Sequence, residues 1–411
     1  MAPKGGTHAV GVSERIDRIR LARSENVGPV TFRRLLAGCG SAERALARLP
    51  DLARRGGRPS VRIVSRDQAE DELAALDRLG ARLIVWGDAD YPRRLAAIDD
   101  APPLLAVIGD GVILARPSVA IVGSRNASLN GRRLAESLAA DIGRAGCVVV
   151  SGLARGIDAT AHRGALATGT VAVVAGGVDV IYPRENTDLY RRIAESGAVV
   201  SELPPGVAPQ ARHFPRRNRI ISGLAQAVVV VEANTRSGSL ITARMALEQG
   251  RDVGAVPGSP LDGRARGCND LIRHGAQLVE NAGDVLGLVF GAAGLPSVHD
   301  DRRCAAARSD GLADGHDTTA EIAFDLDADP LDDALDDAPD GGPDGGPDGG
   351  DARDSVLALL SPTPVSVDDV VRICHLPAAQ VNTILLEGEL GGWLERHPGN
   401  RVALVTPPSG A

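Results

Sequence analysis

Short apolar runs rich in β-branched residues alternate with amphipathic stretches through the middle of the chain. The stretches 131–142 and 240–249 have apolar positions at helical spacing. Seven apolar runs recur every 24 to 29 residues and begin near Val119, Cys147, Val171, Ala198, Ala227, Val253 and Gln277. Strands and helices that alternate at this period form βαβ units, in which helices cover both faces of a parallel sheet. The pattern predicts an open, doubly wound α/β domain over 82–290, to which two earlier runs, 83–86 and 104–108, add strands.

Two smaller helical regions flank this domain. Over 13–80 the apolar spacing predicts short helices, and the Gly28-Pro29 turn opens one of them. This region is either a helix-hairpin-helix or SAM-like unit, which can contact a DNA backbone, or a small packing domain. Over 354–408, three helical stretches followed by two short runs around a Pro398-Gly399 turn predict a winged helix. Its candidate recognition helix, 378–390, has two glutamates and no lysine or arginine, which favours a protein or dimer contact over base readout.

Residues 296–353 are low in complexity and contain three copies of Pro-Asp-Gly-Gly. A segment of this composition buries too little apolar surface to offset chain entropy, so it predicts a disordered tether. Eighteen acidic residues and four arginines lie between Asp300 and Asp354, which gives that segment a net charge of −14. The rest of the chain has a net charge of +6, which suits an anionic partner.

Composition narrows the classes of function further. The aromatic fraction is 2%, which disfavours a nucleic-acid surface built mainly from stacked rings. Lys4 is the single lysine, so Schiff-base chemistry and a Walker lysine are excluded. The five cysteines show no C-x-x-C spacing, so we expect neither a disulfide framework nor a structural zinc site. No secretory signal and no apolar run long enough to span a membrane is visible, and we expect a cytoplasmic protein.

The loops that follow the predicted strands are rich in small residues. In an open α/β sheet, ligands bind beyond the carboxyl ends of the strands. Glycine allows close backbone approach there, and helix N-termini present N–H groups to anions. Five loops have this composition: Gly123-Ser124-Arg125-Asn126-Ala127-Ser128, 151–158, Gly176-Gly177, Ser237-Gly238-Ser239 and Pro257-Gly258. Their clustering at one edge of the sheet predicts a phosphate-binding crevice.

Arginines in this region indicate which phosphate compound would bind. Arg125 stands where the dinucleotide motif G-x-G-x-x-G has its second glycine, which argues against a nicotinamide dehydrogenase. A guanidinium group at this place pairs well with an open phosphate chain. The string Phe214-Pro215-Arg216-Arg217-Asn218-Arg219 adds three arginines, an amide and a ring, which suits a nucleic-acid strand. Alternatively, the string is a solvated helix start whose arginines pair with Glu202 or Glu232.

We assign structural roles to the other titratable residues of these loops. Asp158 and His162, four residues apart on a predicted helix, have the spacing of an acid/base pair, but no candidate nucleophile accompanies them. We expect instead a hydrogen bond between them that fixes the loop. Glu202 and Glu232 end strands with no metal-ligand spacing nearby, so we expect them to orient arginine and asparagine side chains. No catalytic residue and no metal ligand is assigned.

These strings together resemble the DprA family of DNA processing proteins, also called Smf. The resemblance covers about 82–290, and the flanking helical and winged-helix regions fit it as well. One departure is Gly267-Cys268-Asn269, where a Gly-Thr-Asn string is common in the family. The matching strings, in order, are Tyr91-Pro92, Pro102-Pro103, Val119 to Arg125, Ser151 to Asp158 with His162, Tyr182-Pro183 with Asn186, Ser201-Glu202, Phe214 to Arg219, Ser237 to Ala243, and Pro257-Gly258 with Asn269, Leu271 and Ile272.

The resemblance implies an extended Rossmann-like domain that dimerises and binds single-stranded DNA, with no catalytic turnover and no cofactor. It also implies a recombination mediator, which recruits the recombinase RecA and loads it onto DNA coated by single-strand-binding protein. Such a protein acts in natural transformation and homologous recombination. The DNA-binding residues that the matching motifs imply are Gly123, Ser124, Arg125, Ser128, Arg155, Phe214, Arg217, Asn218, Arg219, Ser237, Gly238 and Ser239.

An enzyme that acts on small nucleotides is the alternative. The loop 237–239, with Thr242 and Glu248, is similar to the Pro-Gly-Gly-x-Gly-Thr-x-x-Glu loop of the LOG-type nucleotide phosphoribohydrolases. That family uses a glutamate and an arginine to cleave the glycosidic bond of nucleoside monophosphates. Here the Pro-Gly-Gly string is absent, and Glu248 follows Thr242 by six residues instead of three.

Overall fold

The computed structural model describes residues 11–56, 60–291 and 349–405. Its first part is a cluster of four helices, and in the core shared by the first three Phe32 is fully buried against Leu21 and Leu46. The Gly28-Pro29 turn opens the second helix as expected, because proline is well tolerated at the first helical position. The helices are α1 (Val12–Arg23), α2 (Pro29–Cys39), α3 (Ala42–Arg55) and α4 (Arg66–Arg78).

A nine-stranded sheet forms the centre of the chain, and each run predicted as a strand contributes to it. The sheet order is β1-β2-β6-β5-β4-β3-β7-β8-β9, and the neighbours from β6 to β9 are parallel. The strands are β1 (Arg82–Val85), β2 (Leu104–Gly109), β3 (Ser118–Val122), β4 (Val148–Ser151), β5 (Thr170–Val173), β6 (Ala198–Ser201), β7 (Ala227–Val230), β8 (Asp252–Ala255) and β9 (Gln277–Leu278).

The first two strands correct the prediction of a purely parallel sheet. β1 pairs with β2, and β2 with β6, in antiparallel register, so the sheet is mixed. An antiparallel pair needs no long crossover helix on the face of the sheet. The connection between β1 and β2 therefore holds just the single-turn helix α5 (Arg93–Ala96). An apolar run shows where a strand lies but not its direction.

Helices cover both faces of the parallel part of the sheet, as the alternation predicted. Along β3, Ala120 and Val122 face one layer of helices, while Val119 and Ile121 face the other. The first layer holds α9 (His213–Leu224), α10 (Gly238–Glu248) and α11 (Arg266–Arg273); the second holds α6 (Leu129–Arg144), α7 (Ile157–Ala165) and α12 (Ala282–Phe290). The helix α8 (Thr187–Ser196) covers β5 and β6. Burial of these aliphatic side chains is the main favourable term in the stability of the domain.

The four N-terminal helices are packed directly on the antiparallel end of the sheet. Ile19 on α1 and Leu76 on α4 are buried against Leu83 of β1 and Leu104 of β2. The Arg23 guanidinium adds a polar link, because it donates to the Glu202 carbonyl oxygen at 2.9 Å. These helices lie beside the first two strands, and none of their residues lines the large cavity at the carboxyl ends of β3, β4 and β7.

The last described segment is a winged helix. Its helices are α13 (Gly349–Leu359), α14 (Val367–Cys374) and α15 (Ala378–Leu390), and its antiparallel strands are β10 (Val365–Ser366), β11 (Leu394–His397) and β12 (Arg401–Leu404). Three helices followed by a hairpin agree with the prediction, and β10 adds a third strand. The first helix begins inside the segment predicted as a tether, and the rest of that segment, 296–348, lies outside the described residues.

The described ranges contain neither a membrane-spanning helix nor a metal-ligand cluster. None of the helices in those ranges is long and apolar enough to cross a membrane. No group of three or more His, Cys, Asp or Glu side chains there is arranged to hold a metal ion. The cysteines at 39, 147, 268 and 374 are free thiols.

Candidate nucleic-acid interface

A cavity of about 600 Å³ opens at the carboxyl ends of β3, β4 and β7. The sheet order reverses at β3, because the chain continues through β4 and β5 on one side and returns as β7 on the other. Loops that leave the strands at such a reversal diverge and open a gap between them. The volume is in the range of small-ligand sites. We term this cavity and its lining the crevice.

Ten of the twelve residues predicted to bind DNA line the crevice. They come from the loop after β3, the loop after β4, the start of α9 and the start of α10. The ten are Gly123, Ser124, Arg125, Arg155, Phe214, Arg217, Asn218, Ser237, Gly238 and Ser239. Ser128 and Arg219 lie elsewhere. The structure thus gathers arginines and glycine-rich loops from four separate strings at one edge of the sheet.

The Phe214 ring brings together Arg217 of its own helix, α9, and Arg125 of the loop after β3. The Cζ atom of Arg125 lies 5.6 Å from the ring centroid, and that of Arg217 lies 5.9 Å away. Guanidinium groups at this distance are attracted to the electron-rich ring face. The Tyr182 ring packs on the same side chain at 5.9 Å between centroids. Phe214 therefore concentrates positive charge in the crevice.

Arg217 is also part of the core of the domain. Its Nη1 donates to the carbonyl oxygens of Gly152 at 2.5 Å and Val173 at 2.6 Å. Nearby, the Asp158 carboxylate accepts a hydrogen bond from the Gly152 N–H at 3.0 Å. Burial raises the pKa of Asp158, and the charge of Arg217 is the strongest influence opposing that rise. A side chain at Gly152 would overlap the Arg217 guanidinium, so glycine is required at this close approach.

The rim of the crevice adds a further arginine and a helix N-terminus. Arg155, about half exposed, pairs with Glu185 at 2.8 Å between Nε and Oε1. Asn218 Nδ2 donates to the Gly238 carbonyl oxygen at 3.5 Å, which joins α9 to the start of α10. Ser237 caps that helix and accepts a hydrogen bond from the Ser239 N–H. A helix N-terminus has a partial positive charge and favours anions.

Ser128, which was predicted to contact DNA, lies outside the crevice and caps α6. It is buried at the start of α6, where its Oγ accepts from the Gly131 N–H at 3.0 Å and donates to a carboxylate oxygen of Glu232. Its own N–H donates to the other carboxylate oxygen at 2.8 Å. Burial raises the pKa of Glu232, and the hydrogen bonds from Ser128 oppose the rise. Glu232 orients a side chain as expected, but that of a serine instead of an arginine or asparagine.

We expect the substitution Ser128→Ala to lower the free energy of unfolding by about 1–3 kcal/mol, because α6 loses its cap and a buried carboxylate loses a donor. Urea titration would measure the change. Binding of an oligonucleotide should stay within about twofold of wild type, since the side chain lies outside the crevice. A large loss of oligonucleotide binding with unchanged stability would show that Ser128 contacts DNA after all.

Arg219 is the other residue predicted to bind DNA that lies outside the crevice. Its side chain is buried and forms ion pairs with Glu202 and, at 3.3 Å, with Asp100. Residues two apart on a helix point in different directions, so Arg217 faces the crevice while Arg219 faces away. The alternative in which an arginine of this string pairs with Glu202 is therefore confirmed for Arg219. The string contributes Arg217 and Asn218 to the crevice.

The predicted hydrogen bond between Asp158 and His162 is wrong. His162 is fully buried, and its Nδ1 lies 2.7 Å from the Thr170 Oγ1, which itself donates to the Val149 carbonyl oxygen. Because the hydroxyl proton is used in that bond, Nδ1 must be the donor to Thr170. Burial, aided by the charges of Arg217 and Arg163, lowers the pKa of His162 to about 3. The ring is neutral at neutral pH and links α7 to β5 through Thr170.

We expect His162 to reduce stability in acid. Its pKa of about 3 lies below the ordinary 6.5, so the unfolded chain binds the proton first and stability falls as pH drops from 6.5 towards 3. Between pH 7.5 and 5.0 this residue should cost about 2 kcal/mol of unfolding free energy. The variant His162→Asn, whose amide can replace the Nδ1–H donor, should show a pH dependence smaller by that amount in urea titrations. Identical pH dependence in both proteins would contradict a neutral histidine.

Several residues of the crevice were not predicted. Arg264 lies in a short 3₁₀ turn within a Gly-Arg-Ala-Arg-Gly string that reads as an ordinary polar loop. The winged helix contributes Asp354, Leu357, Ala358 and Leu404. These follow the acidic segment, and their pattern is that of a helix and a strand with no binding motif. Their position depends on how the winged helix packs, which local sequence does not show.

Three family models match successive parts of the chain. The model described as DprA-like N-terminal HHH domain matches residues 12–75, DNA recombination-mediator protein A matches 82–289, and DprA winged helix domain matches 342–400. The first match supports the helix-hairpin-helix interpretation of α1–α4 over a plain packing domain. The second spans half of the chain and contains every crevice residue outside the winged helix.

Known proteins match along the same stretch. Protein Smf of Escherichia coli (strain K12) is 36% identical over 343 residues, which are 82% of each chain. DNA processing protein DprA of Streptococcus pneumoniae (strain ATCC BAA-255 / R6) is 49% identical over 201 residues, 48% of this chain and 71% of the relative. The X-ray structure of DNA processing protein A from Streptococcus pneumoniae has a TM-score of 0.56 at 34% identity, covering 68% of this chain and 98% of that one.

The family models and the structure agree on the order of the three domains along the chain. The four helices, the sheet domain and the winged helix follow one another as the three family models do. Four of the strings that carry the resemblance, within 119–125, 151–158, 214–219 and 237–243, meet at the crevice in the folded chain. The chain belongs to the DprA (Smf) family of DNA recombination-mediator proteins.

Proposed function

We propose that the crevice binds single-stranded DNA by its sugar-phosphate chain. The observation that carries the proposal is the pair of guanidinium groups, Arg125 and Arg217, held together by Phe214 at the reversal of the sheet order. Arg155 and the N-terminus of α10 extend the positive surface along the rim. Arginines match phosphate geometry and read no sequence, so they suit a strand of any composition. A slot of this size admits an unpaired strand, whereas the phosphates of a duplex are spaced around a wider, rigid cylinder.

We further propose that the protein is a homodimer that recruits RecA and loads it onto the bound strand, including strands first coated by single-strand-binding protein. Family membership supports this role, and we propose that the protein acts in DNA uptake, natural transformation and homologous recombination in the cytoplasm. A mediator needs to hold the phosphate chain without closing off the bases, because the recombinase uses them for pairing. Arginine contacts to phosphate meet that requirement.

Comparison of a labelled oligothymidylate with a duplex of equal length tests the proposed binding. We expect tighter binding of the single strand, and a slope of log K against log salt of about −2 for three phosphate contacts at about −0.7 each. Fluorescence anisotropy between about 50 and 300 mM salt would measure both. Equal affinity for the two DNAs, or affinity that does not change with salt, would refute the proposed arginine contacts.

No glutamate among the described residues lines the crevice, which counts against the nucleotide-hydrolase alternative. Thr242 lines the crevice, but Glu248 is at the far end of α10 and does not. The carboxylate that lines the sheet side of the crevice, Asp158, is buried and accepts a hydrogen bond from a backbone N–H. Release of free base from nucleoside monophosphates would be needed to restore this alternative.

A further inference from the structure

The winged helix forms one wall of the crevice. Asp354, Leu357 and Ala358 on α13, together with Leu404 on β12, face the same cavity as the Arg125 loop. This wall presents one carboxylate and three aliphatic side chains. A carboxylate beside a phosphate chain repels it, and aliphatic groups offer it no hydrogen bond. The wall therefore narrows the crevice and offers phosphate no favourable contact, whereas the sheet domain offers it arginines.

Arg264 is held by the backbone of this wall. Its Nη1 donates to the Ala358 carbonyl oxygen at 2.8 Å, and its Nη2 donates to the Leu360 carbonyl oxygen. Ala358 is in the last turn of α13 and Leu360 follows the helix directly, at the end where unpaired carbonyls give a helix a partial negative charge. Asp262 fixes the guanidinium from the other side, with Nε to Oδ1 at 3.1 Å. The end of α13 thus accepts the hydrogen bonds of Arg264 that a bound anion would otherwise accept.

A second contact, on α6, anchors the winged helix away from the crevice. Arg133 pairs with Asp369, and Asn130 Nδ2 lies 3.5 Å from both the Thr363 carbonyl oxygen and the Ser361 Oγ. Leu129 is buried in the hydrophobic core of the winged helix. None of these α6 residues lines the crevice. The anchor can therefore be weakened without changing the proposed DNA contacts.

We propose that Arg264 is a further phosphate-binding residue and that the winged helix competes with DNA for it. With the winged helix seated, Arg264 donates to α13 and the crevice is narrowed. With the winged helix released, Arg264 and the widened crevice accept a longer stretch of strand. This inference rests on the proposed binding of single-stranded DNA. The competitor is a segment of the same chain, joined to the sheet domain through residues 292–348, so its release needs no dissociation.

The variant Arg133→Glu in the full chain tests the competition. It places a carboxylate opposite Asp369, so we expect the winged helix to be released and affinity for oligothymidylate to rise by about fivefold or more. Arg144→Glu, on the same helix, is the matched control, because it makes the same charge change at a residue paired with Asp141. General electrostatics makes both variants bind DNA more weakly. A gain in the first variant alone has the opposite sign and supports competition; equal losses in both overturn it.

Two further variants keep the outcome clear. Asn130→Asp replaces the amide donor with a carboxylate that repels the Thr363 carbonyl oxygen. It should therefore also release the winged helix and raise the affinity for oligothymidylate. Arg264→Ala should weaken binding more in the Arg133→Glu background than in wild type, because Arg264 then contacts phosphate. An equal effect in both backgrounds would show that the winged helix and DNA do not compete for Arg264. If neither wild type nor Arg133→Glu bound the oligonucleotide, the proposed function itself would fall, whereas wild-type binding without any gain would refute the competition alone.

Discussion

Replacement of Arg125 with alanine should weaken binding of single-stranded DNA by about 10-fold to 100-fold, the equivalent of one or two charged hydrogen bonds. The loss should be nearly the same for every oligonucleotide sequence, because the guanidinium contacts phosphate and not bases. The slope of log K against log salt should become less negative by about 0.7 for each phosphate that the variant no longer binds. Fluorescence anisotropy on several sequences and salt concentrations would measure both quantities.

The matched control for Arg125 is Arg191→Ala. Arg191 is an exposed residue of α8 that pairs with Asp188 at 3.2 Å, and it does not line the crevice. The control removes the same charge, so its effect on affinity should stay below about twofold. Equal losses in the two variants would mean that overall charge, and not the crevice, holds the DNA. A loss that depended strongly on sequence would indicate base readout instead.

Arg217→Ala should have the largest effect on stability, a loss of about 3–5 kcal/mol in the free energy of unfolding. The substitution leaves the carbonyl oxygens of Gly152 and Val173 without their donor. It also leaves the buried Asp158 carboxylate without the positive charge that most opposes the rise in its pKa. Urea titration would give the change, and circular dichroism would show whether the variant is folded before its DNA affinity is measured.

The double variant Arg217→Ala with Asp158→Asn separates the two causes. If the uncompensated carboxylate dominates the loss, neutralising it should recover part of the stability, on the order of 1–2 kcal/mol. DNA affinity should remain low in the double variant, because the guanidinium is still missing. Recovery of DNA binding along with stability would mean that Arg217 acts only by supporting the fold.

The positions of the strands could be predicted because a strand buried on both faces requires an apolar residue at each position. Val119 and Ile121 face one layer of helices, and Ala120 and Val122 face the other, so the whole run must be apolar. The antiparallel direction of β1 and β2 could not be predicted in this way. Both directions require the same apolar residues, and direction depends on how the connections cross the sheet.

The sequence predicted which loops form the crevice better than it predicted which of their side chains line it. A glycine-rich loop at a strand end goes to the same edge in any doubly wound sheet, which is why Gly123 and Ser237 meet. Ser128 and Arg219 belong to the same strings, yet each binds a largely buried carboxylate outside the crevice, Glu232 or Glu202. The sequence offered Glu202 and Glu232 as possible partners for the arginines, but which side chain each carboxylate binds depends on the fold.

Cross-linking of a single-stranded DNA oligonucleotide that contains 5-bromodeoxyuridine to the full chain, with the attached peptides identified by mass spectrometry, tests most directly whether the crevice holds the strand. We expect the adducts in the peptides that contain residues 123–126, 154–155 and 214–218, and we expect them to diminish in Arg125→Ala. Adducts confined to α1–α4 or to α15, with no change in Arg125→Ala, would contradict the account.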